Sequence, residues 1–155
     1  MQSDLDESDR RLLRAMQRDA SASQAELAEA AGLSPSLVSR RLSRLKEAGV
    51  LRAIVGLVEP ARIGLTCAAI IRVRLRDHSG ANVKAFRDLI TRMDEVTLCV
   101  MITGEADYLI KIIARDLPHF QALVQELLRC NAIAHLESSI VLEHLKDTTA
   151  LPLPR

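Results

Sequence analysis

The sequence of 155 residues predicts an α+β protein with two domains, because the pattern of apolar residues changes along the chain. As far as Gly49 the apolar residues recur at helical spacing, whereas from residue 50 branched apolar residues gather in short runs typical of strands. From residue 65 such runs alternate with helical segments. We therefore predict a helical domain over 1–60 and a domain of strands and helices over 61–155.

The first predicted helix begins after Asp6, whose carboxylate can cap its amino-terminal end. It should end before the polar stretch that starts at Asp19. Its apolar side is formed by Leu12, Leu13 and Met16. This helix would be the third member of a small bundle.

Two short helices joined by a tight turn follow. Ser23 and Glu26 have the spacing of a capping box, and Gly32 stands where a helix can end in the left-handed conformation. Ser34 can cap the next helix, with Pro35 at the first helical position, where a missing N–H is no loss. Because the turn forces a sharp change of direction, the segment predicts a helix-turn-helix.

The second of these helices has a buried face and a basic exposed face. At 100° per residue the buried stripe is Val38, Leu42 and Leu45. Residues 34–52 carry four arginines and one lysine against one glutamate, a local charge of +4, although the chain as a whole is only +1. The candidate DNA-binding residues are Ser36, Ser39, Arg40 and Ser43 on the exposed face, with Arg41, Arg44 and Lys46 on its flanks.

Short hydroxyls and an arginine suit the edges of bases, while flanking arginines and lysine suit phosphate oxygens. An amphipathic helix with a solvated basic face is the alternative interpretation. The caps, the turn and the face together favour binding to double-stranded DNA.

The rest of the chain predicts strands and helices in alternation. Residues 50–60, which Pro60 stops, predict a strand pair that would form a wing or a hinge leading out of the first domain. Further elements are predicted in the order strand 65–75, helix 81–93, strand 96–104, strand 107–114, helix 117–130 and strand 134–145. The order βαββαβ is that of a ferredoxin-like fold, an antiparallel sheet with both helices on one face. The predicted architecture is thus a winged helix-turn-helix domain followed by a ferredoxin-like domain.

The open face of this sheet calls for a partner. The first strand is apolar on both sides, with Ala69, Ile71 and Val73 on one side and Ala68 and Ile70 on the other. A homodimer formed through the sheets is the simplest way to cover the second side. A twofold dimer would also present two helices to half-sites one helical turn apart on DNA.

Composition excludes several classes of protein. Aromatic residues make up only 2% of the chain, so stacking platforms for single-stranded nucleic acid are not expected. No apolar run is long enough to span a bilayer, and the polar start is no signal peptide, so we expect a cytoplasmic protein without a membrane partner. Cys67, Cys99 and Cys130 are predicted to be buried thiols, and the four histidines lack ligand spacing. We expect no metal, no cofactor and no catalytic residues.

Three segments together resemble the Lrp/AsnC (leucine-responsive/asparagine-type) family of regulators. Residues 5–19 look like the family's first helix, residues 32–51 like its recognition region, and residues 104–111 (GEADYLIK) like the turn that marks its C-terminal domain. The resemblance implies a transcription regulator whose C-terminal domain assembles dimers into octamers or related assemblies. It also implies a small effector, usually an amino acid, bound at the interface of that domain.

The resemblance places the effector around the turn between the second and third strands of the C-terminal domain. The implied effector-binding residues are Met101, Thr103, Gly104, Glu105, Asp107 and Tyr108, with Ser138 and Ser139 as a second wall. Ala106 stands where many members carry an aromatic residue, which would widen the pocket. Read from the residues alone, the turn can equally be an ordinary hairpin with solvated acids, and Tyr108 a packing residue whose hydroxyl finds a partner.

Two other functions compete with an amino-acid-responsive regulator. One is an architectural protein that wraps DNA with little effector control. The other is an enzyme, since ferredoxin-like domains host many reactions. The sequence offers no nucleophile–base pair, no phosphate-binding glycine loop and no metal cluster, which disfavours the enzyme.

Overall fold

The computed structural model describes residues 5–154, which form two compact units. The second unit is Val58–Leu145, and the first unit comprises the residues before it together with the C-terminal residues 146–154. The sequence assigned those C-terminal residues to the second domain. The amide side chain of Gln17 donates to the carbonyl of Leu151 (3.1 Å) and accepts from its N–H (2.6 Å). No local sequence pattern predicts this contact, because its two partners are 134 positions apart.

The first unit contains three helices, α1 (Glu7–Arg18), α2 (Gln24–Ala31) and α3 (Pro35–Glu47). Capping boxes begin α1 and α2, and the Ser34 side chain caps α3. Gly32 ends α2 at φ 65°, a left-handed conformation that glycine adopts without steric cost. The helix-turn-helix predicted from these local signals is confirmed.

The strand pair predicted over residues 50–60 is wrong. The segment before Pro60 forms no strand, and Pro60–Ile63 is a short 3₁₀ helix. The side chains of Ile54, Val55 and Leu57 are exposed. Branched residues favour a strand, but a strand forms only where a hydrogen-bonding neighbour is available, and the described part of this chain places none beside the segment.

The second unit has the predicted order of elements. They are β1 (Cys67–Leu75), α4 (Gly80–Arg92), β2 (Val96–Met101), β3 (Tyr108–Ala114), α5 (Leu117–Leu128) and β4 (Ile133–Ile140). All neighbouring strands are antiparallel, in the order β2-β3-β1-β4. The strands β1 and β3 therefore lie in the centre of the sheet, and β2 and β4 at its edges. The last strand ends at Ile140 rather than at residue 145.

The two faces of this sheet differ in burial. On one face Ala69, Ile71 and Val73 are fully buried in a core shared with Phe86 of α4 and Leu127 of α5. The opposite face, which we call the open face, carries the alternate residues of the strands, apart from register shifts at Val96/Leu98 and Arg74/Leu75. The open face carries Ile70, Lys111 and Leu98 in one row across β1, β3 and β2, whereas Arg72 and Arg74 make the end of β1 its charged end. The predicted covering of one face only is therefore confirmed.

Candidate DNA-binding surface and effector site

Helix α3 presents the predicted face to its surroundings. Val38 and Leu45 are buried and Leu42 is half-buried against the first unit's core. The predicted base-facing residues are all exposed: Ser36, Ser39, Arg40 and Ser43. Lys46 in the last turn is exposed as well. Within residues 5–154, Arg40 and Lys46 take part in no ion pair, so both cations are available to a ligand.

The two flanking arginines are engaged inside the domain. Arg41 Nη1 lies 2.6 Å from Asp6 Oδ2 and 2.8 Å from Asp9 Oδ1, and Arg44 Nη2 bonds the other oxygen of Asp9. Asp9 is wholly buried, whereas the Arg41 side chain is 23% exposed and that of Arg44 is 56% exposed. The carboxylate of Asp9 thus ties the recognition helix to α1. Arg44 still reaches the surface, while Arg41 is half-buried and held by two carboxylates.

The hydrogen bond from Arg41 also sets charge states at the start of α1. It lowers the pKa of Asp6 from its ordinary value, and the same contact raises the pKa of Arg41. Both groups are therefore fully ionised near neutral pH. Sequence reasoning missed Asp9, although a signal was available. Asp9 precedes Leu12, Leu13 and Met16 by three, four and seven positions, which puts an acid on the apolar stripe of α1.

In the second unit, Asp107 ties the β2–β3 turn to the end of β1. Its Oδ2 accepts a hydrogen bond from the Leu75 N–H (2.7 Å), and its Oδ1 lies 3.0 Å from His78 Nε2. Its own N–H donates to the Val73 carbonyl (2.9 Å). Gly104, at φ 117°, supplies the backbone conformation that the turn needs. Each oxygen of Asp107 has one of these contacts, so the side chain links the turn to the end of β1.

A cavity of about 450 Å³ opens beside this turn, at the charged end of the open face, and we call it the sheet-end cavity. The turn contributes Thr103 and Glu105, together with Ile102 and Ala106. The sheet contributes Arg72 and Arg74 from β1 and His135 and Glu137 from β4. Sequence reasoning missed these four sheet residues. Two arginines at alternate positions of an otherwise apolar strand were the signal that could have found them.

The remaining effector-binding residues implied by the resemblance lie elsewhere. Ser138 faces the helix side of the sheet and lines a separate groove beside α5, with Phe120 and Gln125. Ser139 is exposed on β4, and Met101 is exposed at the end of β2. The structure therefore brings Thr103 and Glu105 together at one cavity and does not bring Ser138 to it.

Tyr108 is a core residue. Its ring contacts Phe86 with centroids 4.6 Å apart and planes tilted by 41°, and only 5% of the residue is exposed. The expectation that its hydroxyl finds a partner is wrong for the described residues, because that oxygen is buried without a hydrogen bond. An unpaired buried hydroxyl costs free energy.

We expect the Tyr108→Phe variant to be as stable as the wild type or more stable, by about 1 kcal/mol, since it removes the unpaired oxygen and keeps the ring contact. Urea unfolding measures this difference. Tyr108→Ala, which also removes the ring, should instead lose about 3 kcal/mol or more. A loss above about 1 kcal/mol in Tyr108→Phe would mean that the hydroxyl has a partner.

The cysteines do not share one environment. Cys67 is buried as predicted and Cys130 is half-buried, but Cys99 is exposed, which corrects the expectation for that thiol. Desolvation still raises the pKa of Cys99 above its ordinary value. Across residues 5–154 no group of three or more histidine, cysteine or acidic side chains is placed to hold a metal ion. None of the helices in that range is long and apolar enough to cross a membrane.

The capped helix pair with its exposed basic face defines a DNA-binding protein of the helix-turn-helix class, joined here to a second unit with its own polar cavity. Comparison with known proteins agrees with this class. The family model described as winged helix-turn-helix DNA-binding matches residues 5–52, and the model of the Lrp/AsnC ligand binding domain matches residues 68–151. The chain belongs to the Lrp/AsnC family of transcriptional regulators.

Individual relatives match over nearly the whole chain. The transcriptional regulator AzlB of Bacillus subtilis (strain 168) is 31% identical over 150 residues, covering 96% of both chains. The DNA-binding transcriptional activator DecR of Escherichia coli (strain K12) is 33% identical, covering 96% of this chain and 99% of DecR. The structure of the transcriptional regulator NMB0573 in complex with L-Met, from Neisseria meningitidis, superposes with a TM-score of 0.92 at 34% identity and 96% coverage of each chain.

Proposed function

We propose that this protein is a sequence-specific transcriptional regulator whose binding to double-stranded DNA responds to an amino acid held by its C-terminal unit. The exposed face of α3 is the observation that carries the proposal, because it places an unpaired arginine among short hydroxyls on a capped recognition helix. Such a face fits the major groove. The protein acts in the compartment that holds the DNA, and it needs no cofactor or catalytic group for this role.

The residues of α3 divide into three roles in this proposal. Arg40 and Ser39 contact base edges, with Ser36 and Ser43 beside them on the same exposed face. Lys46 and the exposed part of Arg44 contact phosphates. Arg41, held by Asp6 and Asp9, sets the position of the helix rather than touching DNA.

We propose that the protein is a homodimer and that dimers assemble further, to an octamer. The open face supports this, since Leu98 and Val100 of β2 are 44% and 39% exposed there, and Ile70 of β1 lies on the same face across the intervening strand β3. A second copy that packs its own open face there would remove this apolar surface from water. Light scattering of the full chain measures the assembly directly.

The effector belongs at the β2–β3 turn in this proposal. The relative from Neisseria meningitidis was crystallised in complex with L-Met. In this chain the β2–β3 turn borders the sheet-end cavity with Thr103 and Glu105. Asp107 acts by shaping this turn, because both of its oxygens bond other parts of the unit. An amino acid that binds only the native state must raise the apparent melting temperature.

The test is a thermal-shift screen of the twenty amino acids, followed by light scattering with and without those that bind. We expect at least one to raise the melting temperature and change the assembly size. Asp107→Ala should abolish the response, because the turn loses its bond to Leu75. Asp107→Asn should retain it, because an amide oxygen can still accept that hydrogen bond. If no amino acid stabilises the wild type, the effector part of the proposal fails and the architectural alternative is favoured.

A further inference from the structure

We infer that the sheet-end cavity binds an α-amino acid with an acidic or amide side chain, its carboxylate at Arg74 and its ammonium at Glu105. The inference rests on the proposed function and narrows it to a class of ligand. The volume of about 450 Å³ lies within the range usual for small-molecule sites.

The charged side chains around the cavity are only partly paired with one another. Arg72 Nη1 lies 3.6 Å from Glu137 Oε1, so these two side chains form an ion pair along the wall. Within residues 5–154, Arg74 and Glu105 are exposed and form no ion pair. One cation and one anion therefore remain unpaired at a single cavity. A zwitterion needs this pair of groups, since guanidinium binds carboxylate in a bidentate way and carboxylate accepts from ammonium.

The polarity of the cavity wall determines which ligand side chains it can accommodate. Only Ile102 and Ala106 are apolar among the eight lining residues, so an aliphatic side chain would bury little apolar surface there. His135 stands directly opposite Arg74 in the β1–β4 register and points to the same face. A ring N–H at that place can donate to a carboxylate or amide oxygen. The wall therefore favours glutamate, glutamine, aspartate or asparagine over leucine or methionine.

The position of the cavity connects ligand binding to the proposed dimer. It opens on the same open face that a second copy would cover in the proposed dimer. A bound ligand would then be enclosed between the sheets of the two copies and would form ionic contacts with both. Ligand and assembly would be linked through one surface, so each would strengthen the other by the same factor.

Isothermal titration of the full chain with L-glutamate, L-glutamine, L-aspartate, L-asparagine, L-leucine and L-methionine tests this inference. We expect an acidic or amide amino acid to bind tightest, and Arg74→Gln and Glu105→Gln each to weaken it about tenfold or more. His135→Leu should weaken the polar ligands and leave leucine unchanged. Arg92→Gln on α4 and Glu126→Gln on α5 are matched controls, being exposed residues of the same unit outside the cavity, and should bind like the wild type.

The failure of this inference differs from the failure of the proposed function. Wild-type binding that prefers leucine or methionine would overturn the ligand class. Amino-acid binding that survives both Arg74→Gln and Glu105→Gln would overturn the site and leave the effector response standing. A complete absence of amino-acid binding by the wild type would overturn both.

Discussion

Replacing Asp9 by asparagine should lower the free energy of unfolding of the first unit by about 3 kcal/mol. Asp9 is fully buried and is the common partner of Arg41 and Arg44 of α3. Removing one member of a buried charged cluster is costly, because the charges that remain have lost their compensation. The asparagine amide would in addition turn its NH2 group toward one of the two guanidinium groups, which are themselves donors only.

The matched control for this change is Glu7→Gln on the same helix. Glu7 pairs with Arg14 at 3.2 Å, but both side chains are about half exposed, so its loss should cost under about 1 kcal/mol. Urea unfolding followed through amide hydrogen exchange of α1 to α3 reports on the first unit alone. Equal small losses in the two variants would contradict the role given to Asp9.

Replacing Arg40 by alanine should remove about 1–3 kcal/mol of discrimination between a specific site and random DNA. Arg40 lies on the exposed face of α3 and has no ion pair within the described chain. Its guanidinium is therefore free to donate two hydrogen bonds to the edge of one guanine. A residue that contacts only phosphate would instead weaken both kinds of DNA alike. Lys46→Ala should behave in this second way.

Fluorescence anisotropy at one fixed salt concentration measures both affinities, which is essential because phosphate contacts depend steeply on salt. Arg18→Ala, an exposed arginine in the last turn of α1, removes the same charge from the same unit and serves as the control. It should change the ratio of the two affinities little. If Arg40→Ala weakened specific and random DNA equally, the assignment of Arg40 to base recognition would be wrong.

The elements that were predictable from sequence are those with local causes. The caps at Asp6, Ser23 and Ser34, and the left-handed Gly32, depend on residues within a few positions of each other. The strands were predictable from the alternation of apolar residues and the length of each segment, because an antiparallel sheet covered on one side imposes a period of two. The strand expected before Pro60 failed for the complementary reason, since its formation depends on a neighbour that the sequence cannot supply locally.

The features that were missed join distant positions. Asp9 meets Arg41 and Arg44 across more than thirty residues, and Gln17 meets Leu151 across 134. The sheet-end cavity likewise unites β1, the β2–β3 turn and β4, and only the turn carried a recognisable motif. Ser138 was expected beside this turn, but strand parity puts it on the helix side. Which strand residues line the cavity beside Thr103, Glu105 and Ala106 follows from the strand register.

Selection from a random double-stranded DNA library by the 155-residue protein tests whether α3 recognises a DNA sequence. We expect enrichment of an inverted repeat whose half-sites are about one helical turn, or a multiple of it, apart, because a twofold dimer presents two α3 helices. The Arg40→Ala variant should enrich this repeat weakly or not at all. Recovery of DNA without any common sequence would contradict sequence-specific recognition by α3.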